Sequence, residues 1–184
     1  MRIIAGRAGG IRLDVPKRQM RPTMDRVKAA IFSSLGESVI DAHVLDLFAG
    51  TGALGIEALS RGASSARFVD HDREAVAAIE RNLAKTKFDG RVLKRDVFDF
   101  LRRPVSTQRF DIIFADPPYE KTRDEKCFTD LLLRSEELFH LIEPRGTFVL
   151  EKRPSEEIHE TELWRVVRAK TYGSTEVLFL NRPV

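Results

Sequence analysis

A single cysteine, Cys127, among 184 residues means that the chain cannot form an internal disulfide, which excludes a disulfide-stapled secreted scaffold. Long apolar runs are also lacking: nowhere do about 18 apolar residues follow one another, so no membrane-spanning helix is predicted. The first residues, MRIIAGRAGG, have no long apolar core and do not resemble a signal peptide. Internal repeats and low-complexity linkers are lacking as well. We therefore expect a cytoplasmic protein with a reduced thiol.

Positive charge is concentrated at the start of the chain. Residues 1–28 contain eight basic and two acidic side chains, a net charge of +6. The remaining residues contain 23 basic and 26 acidic side chains, a net charge of −3. A basic arm on a mildly acidic body indicates contact with nucleic acid, although a solvated charged surface would have the same composition.

The rest of the chain reads as strands and helices in alternation. Its length and its 42% of hydrophobic residues suit one well-buried domain with a small appendage. Strands separated by helices predict right-handed crossovers and a largely parallel, doubly wound sheet. Strands are predicted at 43–48, 66–70, 91–96, 110–116 and 147–152. Helices are predicted at 53–62, around Val76, Ile79 and Leu83, briefly at 98–101, and as one helix through Phe128, Leu131, Leu132 and Phe139.

Both ends of the chain depart from this alternation. RIIAG and IRLDV predict two short strands around a glycine turn, and Thr23 is a candidate N-cap for the helix that follows. Near the other end, WRVVRAKTYG and STEVLFLNR meet at Gly173 and Ser174, which predicts a hairpin. That hairpin would add antiparallel strands to one edge of the sheet.

A glycine-rich turn follows the first predicted strand of the domain. In DLFAGTGALG, residues 46–55, the spacing G-x-G-x-x-G lies between a strand and a helix, where glycine lets a bound nucleoside approach the backbone. Asp70 ends the next strand, where its carboxylate can accept both ribose hydroxyls. Asp46 lies beside the helix N-terminus, where a dinucleotide would place its pyrophosphate. A cationic ligand without phosphate, S-adenosylmethionine, fits better than NAD.

A third acidic residue, Asp96, ends the third strand of this predicted sheet. It is a candidate acceptor for the adenine amino group, with the amide of Val97 nearby for a ring nitrogen. An N-cap of the following short helix would explain Asp96 equally well. His71 could lie against the adenine, but neither it nor His43 has the spacing of a metal site, so no metal is expected.

The segment FADPPYEK places Asp116, Pro117, Pro118 and Tyr119 directly after a run of apolar residues. Open α/β sheets bind ligands at the carboxyl edge, where this strand ends. The amine of a nucleobase is a poor nucleophile because its lone pair is delocalised into the ring. Asp116 and a carbonyl of the rigid Pro-Pro backbone could each accept one N–H, while Tyr119 stacks on the base. A simple Asp-Pro-Pro turn is the alternative, but the position predicts methylation of an amino nitrogen.

These motifs together resemble a known family. DLFAGTGALG, FVDHD and DPPY at these separations resemble class I S-adenosylmethionine-dependent methyltransferases that act on amino nitrogens. RPTMDRVKAAIFSSL, residues 21–35, resembles the signature RPT-x-DRV-x-x-x-x-F of the RsmD family, the bacterial 16S rRNA (guanine(966)-N(2))-methyltransferases. MRIIAGRAGGIRL and YGSTEVLFL are similar to that family too, so the resemblance spans nearly the whole chain.

The resemblance implies an α/β, Rossmann-like fold: a seven-stranded, mostly parallel sheet of order 3-2-1-4-5-7-6, with helices on both faces and a small N-terminal β-hairpin arm. It implies a methyltransferase domain at 23–184 that acts on 16S rRNA, with the basic arm at 1–22 for RNA contact. Separately from the resemblance, we expect a monomer, and naked rRNA or an assembling or assembled small ribosomal subunit as the substrate. Catalytic residues would be Asp116, Pro117 and Tyr119. Cofactor contacts would be Asp46, Ala49, Gly50, Thr51, Gly52, Asp70, His71, Asp96 and Val97. The basic arm predicts RNA contacts at Arg2, Arg7, Arg12, Arg18, Arg21, Thr23 and Arg26, and for the last three a cofactor contact, or helix capping and surface charge, is an open alternative.

Three other functions stay open from the residues. An amino-methyltransferase of another rRNA base, of DNA or of protein glutamine could share the Asp-Pro-Pro-aromatic motif, although the short arm leaves little room for a target-recognition domain. A non-catalytic RNA-binding module could share the basic arm, and an NAD-dependent dehydrogenase could share the glycine turn. S-adenosylmethionine binding distinguishes the first class from the other two.

Overall fold

A computed structural model of the chain describes residues 1–15, 24–103, 108–118, 127–156, 158 and 161–183. Strands and helices alternate through most of this length, because apolar residues recur at strand and helix spacing in turn. The strands are β1 His43–Leu47, β2 Ser65–Asp70, β3 Arg91–Lys94, β4 Phe110–Ala115, β5 Ile142–Lys152, β6 Arg165–Tyr172 and β7 Thr175–Asn181. The helices are α1 Met24–Leu35, α2 Ala53–Ser60, α3 Arg73–Thr86, α4 Val97–Arg102, α5 Phe128–Leu133 and α6 Glu136–Leu141, with a 3-10 turn at Gly36–Val39.

The strands form one seven-stranded sheet of order β3-β2-β1-β4-β5-β7-β6. β1 pairs in parallel with both β2 and β4, β2 with β3, and β4 with β5. β7 lies antiparallel between β5 and β6, and the turn from β6 to β7 is at Gly173 and Ser174. The predicted strand order and the C-terminal hairpin are therefore confirmed.

Two apolar cores cover the two faces of the sheet, since successive side chains of a strand point to opposite faces. We call the two faces of the sheet the first face and the second face. The first face packs against the N-terminal arm and α1 to α3 and includes Phe32, Val44, Phe68, Phe114 and Val149. The second face packs against α4 to α6 and includes Leu45, Leu47, Phe100, Ile113, Phe148 and Trp164.

The structure corrects three expectations about individual elements. The single helix predicted from Phe128 to Phe139 is two helices, because the Ser135 hydroxyl accepts the Leu138 amide at 3.1 Å and starts α6. β5 begins at Ile142, before the predicted start at residue 147. The N-terminal segments form one isolated bridge, between Arg2 and Arg12, instead of two regular strands. The predicted cap at Thr23 lies outside the described residues.

The first 15 residues are held against the helices of the first face. The amides of Ile4 and Ala5 donate to the buried Glu57 carboxylate at 2.7 and 3.1 Å. Lys28 is buried beside the same carboxylate, at 3.1 Å, and its ammonium also donates to the Arg2 carbonyl at 2.5 Å. Since Glu57 lies on α2 and Lys28 on α1, the arm is fixed to both helices. No helix in the described ranges is long and apolar enough to cross a membrane.

Candidate active site

A cleft of about 360 Å³ opens at the carboxyl ends of the central strands. This is the edge at which open α/β sheets bind ligands. The turn after β1, the ends of β2, β4 and β5, and the start of β7 all contribute to its wall. Lining residues from these elements include Asp46, Ala49, Gly50, Thr51, Asp70, His71, Asp116, Pro117, Pro118, Glu151 and Thr175.

Five acidic residues line the cleft: four lie at, or within a residue of, the carboxyl ends of four neighbouring strands, and the fifth, Asp72, is the N-cap of α3. Asp46 comes two residues after Val44, Asp70 two after Phe68, Asp116 two after Phe114 and Glu151 two after Val149. The four apolar residues all belong to the core of the first face. Because side chains alternate along a strand, the four carboxylates point to that same face. The order of the sheet then sets them in a row across β2, β1, β4 and β5.

The glycine turn orients the carboxylate of Asp70. Gly50 and Gly52 have φ angles of 55° and 73°, a left-handed conformation that glycine adopts without steric cost. This conformation lets the Gly50 amide donate to Asp70 Oδ2 at 2.8 Å. The Asp72 amide donates to Asp70 Oδ1 at 2.9 Å. Both carboxylate oxygens are thus fixed by backbone amides at the wall of the cleft.

The Asp46 carboxyl is buried and its charge is poorly compensated. Its Oδ2 accepts the amide of Gly55, in the first turn of α2, at 2.9 Å. The pKa of Asp46 is raised to about 8: burial is the largest cause, the nearby charges of Asp70 and Asp116 act in the same direction, and the Gly55 hydrogen bond opposes the shift. A bound cation would stabilise the ionised form of this carboxyl.

This charge pattern discriminates between candidate cofactors. A pyrophosphate at the N-terminus of α2 would approach the Asp46 carboxylate, whose Oδ2 already takes a helix amide. A ligand with an ammonium and a sulfonium would instead be attracted by the acidic row. The residues therefore fit S-adenosylmethionine better than a dinucleotide. In the part of the chain that the structure describes, no group of three or more metal-ligating side chains is placed to hold a metal ion.

Most of the cofactor contacts predicted from the sequence lie together. Six of them line the cleft: Asp46, Ala49, Gly50, Thr51, Asp70 and His71. Gly52 is buried directly behind the turn. Asp96 is exposed and its Oδ1 accepts the Asp99 amide at 3.0 Å, so it acts as the N-cap of α4. Neither Asp96 nor the buried Val97 is among the residues that line the cleft, and their contact with adenine stays a prediction.

Of the predicted catalytic residues, Asp116 and Pro117 line the same cleft as the glycine turn. Tyr119 lies outside the described residues. Sequence reasoning missed several lining residues, among them Met1, Lys28 and Glu151. Glu151 could have been found by the rule that identified Asp116, because it too follows an apolar strand. Met1 and Lys28 carry no such signal, since only the packing of the arm and of α1 against the sheet brings them to the cleft.

The predicted RNA contacts are exposed where they can be described. Arg2, Arg7, Arg12 and Arg26 all lie on the surface. Arg7 extends over the Phe88 ring, 5.1 Å from its centre. Arg18, Arg21 and Thr23 lie outside the described residues. One correction applies to the charge count of residues 1–28: Lys28 is buried against Glu57, so it contributes nothing to a basic surface.

The fold and the cleft define a class I methyltransferase. A putative methyltransferase yhhF from Escherichia coli has a structure similar to this one, with a TM-score of 0.81 and 31% identity over 99% of this chain and 97% of that one. A family model described as conserved hypothetical protein 95 matches residues 1–181. The chain belongs to this family, the RsmD family of methyltransferases.

Two curated relatives agree with this family. The chain is 33% identical to the ribosomal RNA small subunit methyltransferase D of Haemophilus influenzae, over 94% of this chain and 89% of the relative. It is 37% identical to the putative rRNA methyltransferase YlbH of Bacillus subtilis, over 99% of both chains. The family model and the Bacillus subtilis alignment include the N-terminal arm as well as the sheet domain, because they span residues 1–181 and 99% of the chain.

Proposed function

We propose that this methyltransferase transfers a methyl group from S-adenosylmethionine to the exocyclic N2 amine of a guanine in 16S rRNA, the guanine(966)-N(2) type of reaction. The observation that carries the proposal is the common cleft of Asp116 and Pro117 with Gly50 and Asp70. A site for a nucleoside cofactor and an acceptor for an amine are therefore side by side. The names of the relatives from Haemophilus influenzae and Bacillus subtilis support rRNA as the substrate.

The cofactor would be held over the ends of β1 and β2. Asp70, whose oxygens are oriented by the Gly50 and Asp72 amides, would accept the ribose hydroxyls. Asp46 and the turn at Gly50 would hold the methionine end of the cofactor. The ammonium and sulfonium groups of that end would be attracted by the carboxylate of Asp46. S-adenosylmethionine supplies an activated methyl group on a positively charged sulfur.

The target base would be held over the end of β4. Asp116 accepts one N–H of the amine, and a carbonyl of the Pro117-Pro118 backbone accepts the other, which localises the nitrogen lone pair. Proline suits this position because its φ angle is fixed and it donates no competing N–H. Tyr119 supplies a ring for stacking. Holding the reacting atoms in line can supply roughly 7–11 kcal/mol of the acceleration.

The arm would hold the RNA at the mouth of the cleft. Arginine side chains bind phosphates without regard to sequence, so exposed Arg2, Arg7 and Arg12 would contribute affinity and orientation. The arm can position the substrate because its backbone is tied to α2 through Glu57. Met1, the first residue of the arm, lines the cleft itself.

The test is transfer of a labelled methyl group to small-subunit rRNA from cells lacking the enzyme, followed by nucleoside analysis. We expect N2-methylguanosine as the labelled product. Asp116→Ala should abolish transfer while S-adenosylmethionine binding, measured by calorimetry, changes little. Asp111→Ala is a matched control, since Asp111 lies on β4 at the opposite edge of the sheet.

Two results would overturn the proposal. Label in another nucleoside would show that the enzyme acts on another base. Equal transfer by the Asp116→Ala variant and the unmodified enzyme would show that this carboxylate does not hold the amine.

A further inference from the structure

One acidic residue of the cleft has no part in the chemistry described so far. Asp46 and Asp70 belong to the half of the cleft that would hold the cofactor, over β1 and β2. Asp116 would accept an N–H of the amine of the base. Glu151, at the end of β5, remains. Because the sheet order is β2-β1-β4-β5, Glu151 lies on the side of Asp116 away from the cofactor residues.

The strand register places Glu151 beside Asp116. β4 and β5 pair in parallel with Phe114 opposite Val149 and Ala115 opposite Leu150, the last pair of the ladder, and Asp116 and Glu151 are the residues that directly follow it. Neighbouring strands lie about 4.8 Å apart, and paired residues point to the same face. Both therefore point to the first face, into the same cleft.

The opposite neighbour of β5 gives the same orientation independently. Glu151 pairs with Val177 of β7 across the antiparallel ladder. Val177 is fully buried in the core of the first face, as is Val149 two residues before Glu151. A one-residue slip of register would have turned Glu151 to the other face.

We infer that Glu151 selects guanine by accepting the N1–H of the target base beside Asp116, an inference that rests on the proposed function. On its Watson–Crick edge guanine carries a ring N–H next to the exocyclic amine. Adenine and cytosine carry a bare ring nitrogen at the corresponding position, which is an acceptor. A carboxylate next to the amine site therefore forms a hydrogen bond with guanine only. With the other two amino bases it would face a lone pair and lose this hydrogen bond.

2-Aminopurine riboside tests this directly, because it has the same N2 amine as guanosine but a bare N1. The substrate is small-subunit rRNA assembled with either guanosine or 2-aminopurine riboside at the single position that the unmodified enzyme methylates. The measurement is kcat/KM for methyl transfer to each RNA. A lost charged hydrogen bond corresponds to about a 10- to 100-fold preference for guanosine.

Glu151→Gln should reduce this preference to within about threefold, because the amide can donate to a bare N1 as well as accept from N1–H. The Kd for S-adenosylmethionine should stay within about twofold of the unmodified value, since Glu151 lies outside the cofactor half. Glu143→Gln is the matched control: Glu143 lies at the other end of β5, and this variant should keep the full preference.

A purely structural role of Glu151 would lower kcat/KM for both RNAs by the same factor, and that result would overturn the inference. Equal use of the two RNAs by the unmodified enzyme would overturn it without any variant, so the test does not depend on the folding of Glu151→Gln. Failure of the proposed function looks different: no N2-methylguanosine would then form from the guanosine RNA.

Discussion

Raising the pH from 6 to 8 should destabilise the free protein through one buried carboxyl group, that of Asp46. Its ordinary pKa of 3.8 in the unfolded chain is raised to about 8 in the folded protein, mainly by burial. At a pH between these two pKa values, the Asp46 carboxyl holds a proton in the folded protein that it has lost in the unfolded chain. Folding stability therefore falls as the pH rises towards 8 and becomes flat above it.

The size of this loss in the free energy of unfolding follows from the linkage between proton binding and folding. Each pH unit over which the two states differ by one proton changes the free energy of unfolding by about 1.4 kcal/mol. Because half the Asp46 carboxyls ionise at pH 8, the loss between pH 6 and pH 8 is roughly 2 kcal/mol. Below pH 4 the group contributes no further change.

Urea denaturation at pH 6, 7 and 8 measures this loss, with Asp46→Asn as the comparison. Asparagine has nearly the same shape, can still accept the Gly55 amide and carries no charge at any pH. The difference in free energy of unfolding between the two proteins isolates Asp46 from every other ionisable group, since the two proteins share all the others. Parallel pH profiles for the unmodified protein and the variant would refute the reasoning.

Two further predictions concern the same region. Binding of S-adenosylmethionine at pH 7 should release close to one proton, because the bound cation favours ionised Asp46. Calorimetry in two buffers of different ionisation enthalpy measures this release, and the Asp46→Asn variant should release none. Lys28→Met should cost about 3 kcal/mol in urea denaturation at pH 7, at the low end for a broken buried ion pair because Arg61 still contacts Glu57 at 2.8 Å. Lys85→Met, at an exposed pair, should cost less than about 1 kcal/mol, and equal costs would contradict this account.

The strands were predictable because their signal is local. FDIIFA contains four apolar residues in a row, as expected for a strand buried on both faces, and β4 is observed at Phe110–Ala115. The long helix predicted through Phe128 and Phe139 was wrong for a local reason as well. Its apolar spacing continues across Ser135, and only the hydroxyl of that residue, by capping α6, ends one helix and begins another.

By itself, the sequence determined the alternation of strands and helices, the glycine turn and the acids that end the strands, because each depends on residues a few positions apart. Only the tertiary structure decided which of these acids share a cleft, that Asp96 caps α4, and that Glu151 lines the same cleft as Asp116. It also decided that Lys28 is buried under the arm. Strand order and register set these neighbours, and they depend on how distant segments pack together, which no short stretch of sequence encodes.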